Sequence, residues 1–208
     1  MIASNIPGID DDYARVRELA PSGFVLALNL RWVGPEFLHS EYPKAWREIY
    51  ESKNYFMFDP VFYWTLTKTG RTRWSEVGFP DPHGVSQKAK KYGLNFGAVF
   101  CQKVDGRRSF LATSRSDREL TEIEMDELQT LFEKWMKVVS ERPVLTEGEL
   151  DVLKALKSGQ AQAEVGTALN IATATVKKRL RSIRKKFGAA TTAEAVSIAV
   201  EKRYFQVD

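Results

Sequence analysis

The sequence is poor in the residues on which several classes of protein depend. It has one cysteine, Cys101, so a disulfide framework within the chain and a cysteine-cluster metal site are both excluded. Its two histidines are His39 and His83, and neither belongs to a nucleophile motif, a phosphate-binding glycine loop or a metal-ligand spacing. We therefore expect no enzyme, no cofactor and no metal.

Long apolar runs are missing as well. No stretch approaches the roughly 18 apolar residues that a membrane-spanning helix needs. The chain starts with an acidic run at residues 10–12 rather than the basic-then-apolar order of a signal peptide. No apolar strand precedes that acidic run, which argues against a phosphorylation-switched receiver domain. These features predict a cytoplasmic protein without a membrane partner.

Most of the chain has no excess of positive charge. Residues 1–142 contain 20 Lys and Arg against 20 Asp and Glu, whereas residues 143–208 contain 11 against 7. The whole net charge of +4 therefore belongs to the last third, and seven of its cations fall within residues 177–186. A charge run alone usually marks a solvated surface helix, so its meaning depends on the motif around it.

That motif is a set of four short helices predicted from apolar residues at helical spacing. They cover residues 145–159, 161–169, 173–187 and 193–200. Thr146 and Glu149 have the spacing of a capping box, and Gly159 and Gly188 stand where the first and third helices should end. A small apolar core, a turn at Asn170 and a cation-rich third helix are what a helix-turn-helix DNA reader needs. We therefore predict binding to double-stranded DNA.

Residues 145–205 resemble the LuxR-type helix-turn-helix of bacterial transcription factors. The matching pattern is Leu145-Thr146, Glu149, Val152-Leu153, Gly159, Glu164-Val165, Leu169, Ile171, Thr175-Val176 and Ala195-Val196. The resemblance implies that Lys177 and Arg181 point at base edges. It implies phosphate contacts from Lys178, Arg179, Arg184 and Lys185. Alanine at position 172 replaces the usual capping serine, so we expect Thr173 to cap the third helix instead.

Helix-turn-helix proteins usually pair, because two recognition helices then reach half-sites about one DNA turn apart. We therefore expect a homodimer on inverted-repeat half-sites. A helix predicted over residues 119–139 ends in Trp135-Met136, which are candidates for a dimer contact. Pro143 should stop that helix at about Arg142, so the predicted domains are residues 1–140 and 141–208.

The first domain is predicted to be an α+β sandwich, an antiparallel sheet flanked by helices. The second is a small four-helix all-α domain. Predicted strands are Gly23–Arg31, Gly97–Lys103 and Arg108–Thr113, with a hairpin at Asp105-Gly106, and predicted helices are Pro43–Lys53 and Ser86–Tyr92. Such domains commonly hold a small molecule between sheet and helices.

A set of polar aromatic residues suggests such a ligand. Trp46 and Tyr50 are four apart on one helical face, Asp59-Pro60 follows, and Trp74 comes fifteen residues after Asp59. Two donors and one carboxylate acceptor suit a ligand with two carbonyls and an amide N–H. Without a ligand, a buried Asp59 needs another partner. The alternative is that the aromatics are core residues and that Asp-Pro marks a turn.

The spacing Trp46, Tyr50, Asp59-Pro60, Trp74-Ser75, then Gly93 and Gly97, resembles the autoinducer-binding domain of LuxR-type quorum-sensing receptors. The resemblance implies an N-acyl-homoserine lactone whose lactone carbonyl accepts from Trp46, whose amide N–H donates to Asp59, and whose acyl carbonyl accepts from Tyr50. It also implies that Trp74 packs beside the lactone ring. It places Thr113 near a position that often adds a hydroxyl contact.

Two points stay open at this stage. Phe62-Tyr63-Trp64 is bulkier than the aliphatic run common in the family, which predicts a short or aromatic acyl group if those rings face inward. The alternative function is a ligand-independent regulator with the same DNA-binding domain, or one that responds to a different small molecule.

Overall fold

The protein divides into two compact units in a computed structural model that describes residues 6–31, 34–104, 106–141, 143–202 and 204–205. The N-terminal unit is Ile6–Val139 and the C-terminal unit is Ser140–Asp208. The N-terminal unit is an antiparallel sheet with helices and the C-terminal unit is helical, which confirms the predicted fold class.

The elements of the N-terminal unit alternate between strands and short helices. In chain order they are α1 (Ile9–Leu19), β1 (Gly23–Arg31), β2 (Gly34–Ser40), α2 (Lys44–Ser52), α3 (Pro60–Thr67), β3 (Gly70–Arg73), α4 (Val85–Lys90), β4 (Phe96–Val104), β5 (Arg107–Arg115) and α5 (Glu122–Ser140). Short 3₁₀ turns at Tyr55–Met57 and Trp74–Glu76 follow α2 and β3.

The five strands form one antiparallel sheet in the order β2-β1-β5-β4-β3. Strands β4 and β5 pair down to Val104 and Arg107, which confirms the predicted hairpin, although Asp105 lies outside the described residues. Sequence reasoning missed β2, which contains His39, and β3. Both missed strands lie at sheet edges, where proline and polar residues are tolerated. Pro35 and the polar residues of these strands hide the alternating apolar pattern by which a strand is recognised.

The two faces of the sheet are packed differently. Because side chains alternate along a strand, Phe24 and Leu26 point to one face, and Val25 and Ala27 to the other. On the first face Tyr13 of α1 contacts Phe24, with ring centroids 5.2 Å apart. Asp12 joins α1 to α5 by accepting hydrogen bonds from Lys134 Nζ and Trp135 Nε1, both at 2.8 Å. This face is a filled core.

The expectation that Trp135 and Met136 contact a second copy is wrong. Both side chains are buried within the N-terminal unit, with exposed fractions of 0% and 2%. Trp135 packs edge-on against Tyr13 and spends its indole N–H on Asp12. Periodicity places these residues on the apolar face of α5, but it cannot tell whether that face meets the same chain or another.

The C-terminal unit contains α6 (Glu147–Lys157), α7 (Gln162–Ala168), α8 (Thr173–Phe187) and α9 (Thr192–Glu201) in its described residues. Its core is filled by apolar side chains from all four helices, among them Val152, Leu153, Val165, Val176, Leu180, Ile183, Ala195 and Ala199. The four helices match the prediction closely. Arg142, where α5 was predicted to stop, lies outside the described residues.

The helix ends explain why the boundaries were predictable. Thr146 and Glu149 form the expected capping box, with Thr146 N donating to Glu149 Oε2 at 2.7 Å and Glu149 N donating to Thr146 Oγ1 at 3.2 Å. Gly188 ends α8 with φ 65°, which glycine adopts readily. The expectation for Thr173 is wrong, because α8 starts at Thr173 and Ala172 takes the cap position without a side-chain hydrogen bond.

Candidate functional site

A cavity of about 810 Å³ lies in the N-terminal unit, on the face of the sheet that includes Val25 and Ala27. Side chains of α2, α3 and α4 cover it, and Phe110 and Ala112 of β5 belong to its floor. The volume lies in the upper part of the range for small-molecule sites. Four of the five ligand residues predicted from the sequence line it: Trp46, Tyr50, Asp59 and Trp74.

Asp59 lies in this cavity as the N-cap of α3. Its Oδ1 accepts from the backbone N–H groups of Val61 at 2.8 Å and Phe62 at 3.3 Å. Pro60 follows at the first helical position, where its missing N–H costs nothing. The Asp-Pro pair is therefore a helix start rather than a simple turn, and the cap fixes the direction of the carboxylate.

The second oxygen of Asp59 faces the aromatic residues. Tyr50 Oη donates to Asp59 Oδ2 at 2.8 Å. Burial raises the pKa of Asp59, while the hydrogen bonds from Tyr50 and the α3 backbone oppose the rise. Burial and the nearby Asp59 charge both raise the pKa of Tyr50 well above its usual value, so its phenol stays neutral and remains a donor.

Two tryptophans complete the predicted cluster. Trp46 is buried and meets Tyr50 edge-on, with ring centroids 5.6 Å apart. The Trp74 indole lies against Gly97, where an added β-carbon would come within 2.5 Å of the ring and 2.3 Å of Thr113 O. Glycine is therefore required at position 97. The Trp74 Nε1 is buried without a hydrogen-bond partner.

Tyr42 is a cavity residue that sequence reasoning missed. Its side chain lines the cavity, and its hydroxyl is buried without a hydrogen-bond partner. Burial raises the pKa of Tyr42 well above its usual value, with the Asp59 charge adding to the rise, so the phenol is a neutral donor. The four-residue spacing of Tyr42, Trp46 and Tyr50 is the sequence signal that could have identified it. Tyr42 lies before the first turn of α2, so it does not belong to the predicted helical face.

The prediction for Thr113 is wrong. Ala112 lines the cavity, and the neighbouring Thr113 therefore points to the opposite face of the sheet. There it is fully buried, and its Oγ1 donates to Ala98 O at 3.4 Å. An error of one residue along a strand moves a side chain across the sheet, and the sequence alone did not fix that register.

The bulky run at residues 62–64 fills less of the cavity than expected. Phe62 lines the cavity and meets Phe110 edge-on. Tyr63 is 51% exposed and packs against Phe79, while Trp64 belongs to the cluster on β4 and β5 rather than to the cavity wall. Two of the three rings behind the hypothesis of a short or aromatic acyl group are thus outside the cavity.

The second candidate site is the cationic surface of α8. Four of the cations predicted to meet DNA are exposed: Lys177, Lys178, Arg181 and Lys185. Among the described residues, no ion pair or side-chain hydrogen bond holds any of them. Residues 177, 181 and 185 are four apart, so they form one stripe along the helix. Eight residues of helix span about 12 Å, comparable to the width of the major groove.

The other cations of α8 are bound within the C-terminal unit. Arg179 Nη1 donates to Gly148 O at 3.2 Å, and its guanidinium carbon lies 2.5 Å from where a β-carbon would sit on Gly148. Arg184 Nη1 donates to Ala190 O at 3.1 Å, and Lys186 Nζ pairs with Glu149 at 2.6 Å. The expected phosphate contacts of Arg179 and Arg184 must therefore compete with these ties, which sequence reasoning did not foresee.

Three other kinds of site can be examined in the described residues: metal sites, membrane spans and reactive thiols. The part of the chain that the structure describes contains no group of three or more acidic, histidine and cysteine side chains able to hold a metal ion. None of its helices has both the length and the apolar character to cross a membrane. Cys101 is free and buried, and burial raises the pKa of its thiol, so it is a packing residue.

Both units match known families. Residues 27–141 match the autoinducer binding domain, and residues 143–199 match the luxR family of bacterial regulatory proteins. Relatives include the quorum-sensing regulator RhlR of Pseudomonas aeruginosa, 25% identical over 176 residues that cover 78% of this chain and 73% of RhlR. The regulatory protein SdiA of Escherichia coli is 23% identical over 175 residues, which cover 77% of this chain and 73% of SdiA.

The fold is shared with a solved structure. The crystal structure of Escherichia coli SdiA superposes with a TM-score of 0.53 at 19% identity, covering 96% of this chain and 91% of that one. Neither matching family is catalytic, and the relatives named above are regulators. An autoinducer-binding domain followed by a luxR-family DNA-binding domain identifies this chain as a member of the LuxR family of transcriptional regulators.

Proposed function

We propose that this regulator binds an N-acyl-homoserine lactone in the cavity of its N-terminal unit and that the ligand alters its binding to DNA. The observation that carries the proposal is the one hydrogen-bond acceptor position left open on the Asp59 carboxylate. A carboxylate has about four acceptor positions. Two backbone N–H groups and the Tyr50 hydroxyl use three of them. The remaining position, on Oδ2, suits the single amide N–H of such a ligand.

The donors around Asp59 suit the two carbonyl groups of the ligand. Trp46 is proposed to donate to the lactone carbonyl, and Trp74 covers the lactone ring. Tyr50 already donates its proton to Asp59, so we assign the acyl carbonyl to Tyr42, whose buried hydroxyl has no partner. An unsatisfied buried donor costs about 1–3 kcal/mol, and a ligand carbonyl removes that cost.

The DNA side of the proposal rests on the exposed stripe of α8. Lys177 and Arg181 are proposed to read base edges, with Lys178 and Lys185 on phosphates. A homodimer on inverted-repeat half-sites follows from the usual geometry of the motif. Because DNA is the target, the proposed place of action is the cytoplasm.

Ligand and DNA binding can be coupled through stability. A ligand that binds only the folded N-terminal unit stabilises it by RT ln(1 + [L]/Kd), which is about 2.7 kcal/mol at a ligand concentration of 100 Kd. The cavity is large and lined by many apolar side chains, so a bound acyl chain adds packing contacts to this unit.

The test is thermal unfolding of the full chain across N-acyl-homoserine lactones of graded acyl length, with aromatic acyl forms included. The expected result is a rise in Tm that grows with the concentration of one subset. Well-folded protein that binds DNA and shows no shift with any of the lactones would contradict the proposal. It would instead support a ligand-independent regulator or a different ligand.

A further inference from the structure

The cavity has two chemically different ends. At one end Trp74 covers Gly97, and the register places Gly97 beside Ser114 and Ser114 beside Gly23. Tyr42 follows β2 at this same end, because the nearby Ser40 pairs with Val25. The polar cluster around Asp59 is therefore near the start of β1. The proposed headgroup site lies here.

The other end of the cavity is at the end of β1. Val25, Ala27, Leu30 and Arg31 all line the cavity, so it follows β1 from Val25 to the last residue of the strand. Six residues of strand span roughly 20 Å, somewhat less across the irregularity between Ala27 and Leu30. Between the two ends the strand offers only apolar side chains, and an apolar acyl chain suits that stretch.

Arg31 differs from every other residue of β1 that lines the cavity, because it is charged. Its Nε is buried and has no hydrogen-bond partner. No ion pair joins its side chain to another residue in the described ranges. The nearest carboxylate in the β1–β2 hairpin, Glu36, is instead paired with Arg107 at 3.7 Å and accepts from Asn29 Nδ2 at 3.2 Å.

The remaining carboxylates on the cavity wall do not neutralise Arg31 either. Asp59 is committed to the α3 backbone and Tyr50. Glu51 lies on α2, is exposed, and forms no ion pair with Arg31. A buried guanidinium N–H without an acceptor is costly, and at a cavity wall a ligand can supply that acceptor.

We propose that Arg31 recognises the far end of the ligand, and that the ligand is an N-acyl-homoserine lactone whose acyl group ends in a hydrogen-bond acceptor, best a carboxylate. The proposal rests on the function proposed above. It adds a second polar contact about one strand length from the headgroup. A guanidinium offers parallel N–H groups that match the two oxygens of a carboxylate, which a lysine cannot do.

The experiment compares two matched series of ligands on the full chain. One series has methyl-ended acyl chains of graded length, and the other has the same lengths with a terminal carboxylate. Kd is measured by calorimetry, and Tm reports folding. At the length that reaches Arg31, the carboxylate form should bind at least about 10-fold more tightly than its methyl-ended partner.

Two variants test the role of the guanidinium. Arg31→Met should abolish the preference for the carboxylate or reverse it, and Arg31→Lys should lower it. Arg107→Met is the matched control, because it removes the same charge at the same end of the sheet from a residue outside the cavity wall. Arg107→Met should keep the preference, which separates direct contact from a general charge effect.

The outcomes distinguish the two proposals. If neither series binds, the proposed function fails and the inference fails with it. If the methyl-ended series binds but no carboxylate form binds more tightly, or if Arg31→Met keeps the preference, the inference alone is overturned. If Arg31→Met does not fold, Arg31→Lys together with the wild-type comparison still decides the outcome.

Discussion

The two units of the chain place the polar groups proposed to bind their partners in opposite environments. In the N-terminal unit the Tyr42 hydroxyl and the Trp74 and Arg31 N–H groups are buried without partners. In the C-terminal unit Lys177 and Arg181 are exposed to solvent. A small molecule can be enclosed, so its binding groups can wait inside a cavity. A DNA duplex is too large to enclose, so the groups that meet it must lie on the surface.

The difference extends to the cores. The C-terminal unit fills its centre with apolar side chains, most of them aliphatic and from its four helices. The N-terminal unit packs one face of its sheet in the same way but has a cavity of about 810 Å³ on the other. A ligand that fills this cavity adds packing contacts to its walls. The comparison therefore predicts that ligand stabilises the N-terminal unit and that the C-terminal unit is stable without one.

The largest effect is expected on the surface of the C-terminal unit. Lys177→Ala combined with Arg181→Ala removes two cations from the α8 stripe, each worth about 1–3 kcal/mol if it contacts a base. Affinity should fall by about 100-fold or more for a duplex that the wild-type protein selects from a random pool. Fluorescence anisotropy at fixed salt measures the change.

Its control is Lys154→Ala, which removes an exposed cation of the same unit on α6. That variant should bind the duplex nearly as well as wild type, and ligand-induced stabilisation should survive in both variants. Equal losses from α6 and α8 would mean that net charge, rather than the stripe, governs DNA binding.

A smaller effect is expected inside the cavity from Asp59→Asn. Asparagine is as good an N-cap as aspartate, so α3 should stay intact. The ligand amide loses a charged acceptor, a bond worth about 1.5–3 kcal/mol, so Kd should rise by about 10- to 150-fold. Calorimetry with the tightest ligand of the panel measures it.

Asp81→Asn is a matched control for this change. Asp81 accepts from two backbone N–H groups in the first turn of α4, Val85 N at 2.7 Å and Ser86 N at 2.8 Å, but it does not line the cavity. It should leave Kd nearly unchanged. If both variants weaken the ligand equally, the loss of negative charge near the cavity, and not a contact between Asp59 and the headgroup, accounts for the effect.

The two phenols should behave in opposite ways in the absence of ligand. Tyr42→Phe removes a buried hydroxyl that has no partner, so Tm without ligand should stay constant or rise. Tyr50→Phe breaks the bond to Asp59, so Tm should fall. With ligand, Tyr42→Phe should raise Kd by about 2- to 12-fold through one lost hydrogen bond of about 0.5–1.5 kcal/mol. A fall in Tm from Tyr42→Phe would contradict the assignment of that hydroxyl.

The sequence predicted the C-terminal unit better than the N-terminal one, for a physical reason. Helix starts and ends are set by residues that are close in sequence. Thr146 and Glu149 form the capping box, and Gly188 the helix end, that their residue types predict. Which cations of α8 remain exposed is not local. Arg179 is held by Gly148, 31 residues earlier, and that contact depends on a glycine whose missing side chain leaves room for it.

In the N-terminal unit the helical spacing found Trp46 and Tyr50, but strand residues were harder to place. Thr113 was assigned to the wrong face of the sheet, because the residue of β5 that lines the cavity at this point is its neighbour Ala112. The edge strands β2 and β3 lack a clear alternating pattern. Tyr42 and Arg31 were missed because the feature that marks them is a buried polar atom without a hydrogen-bond partner. Only the folded structure reveals that feature.

The smallest effect is a pH dependence that should occur in the N-terminal unit and not in its Asp59→Asn variant. Burial raises the pKa of Asp59 above its unfolded value of about 3.9. The unliganded fold therefore favours the protonated form, and this contribution to stability is present at low pH and is lost as pH rises through the folded pKa. The ligand amide needs the carboxylate, so ligand affinity should change in the opposite direction and weaken as pH falls from neutral through the folded pKa of Asp59. Calorimetry at a series of pH values below neutral should show the decline in wild type and a flatter profile in Asp59→Asn. Parallel profiles would mean that Asp59 does not accept from the ligand, because every other titrating group is common to the two proteins.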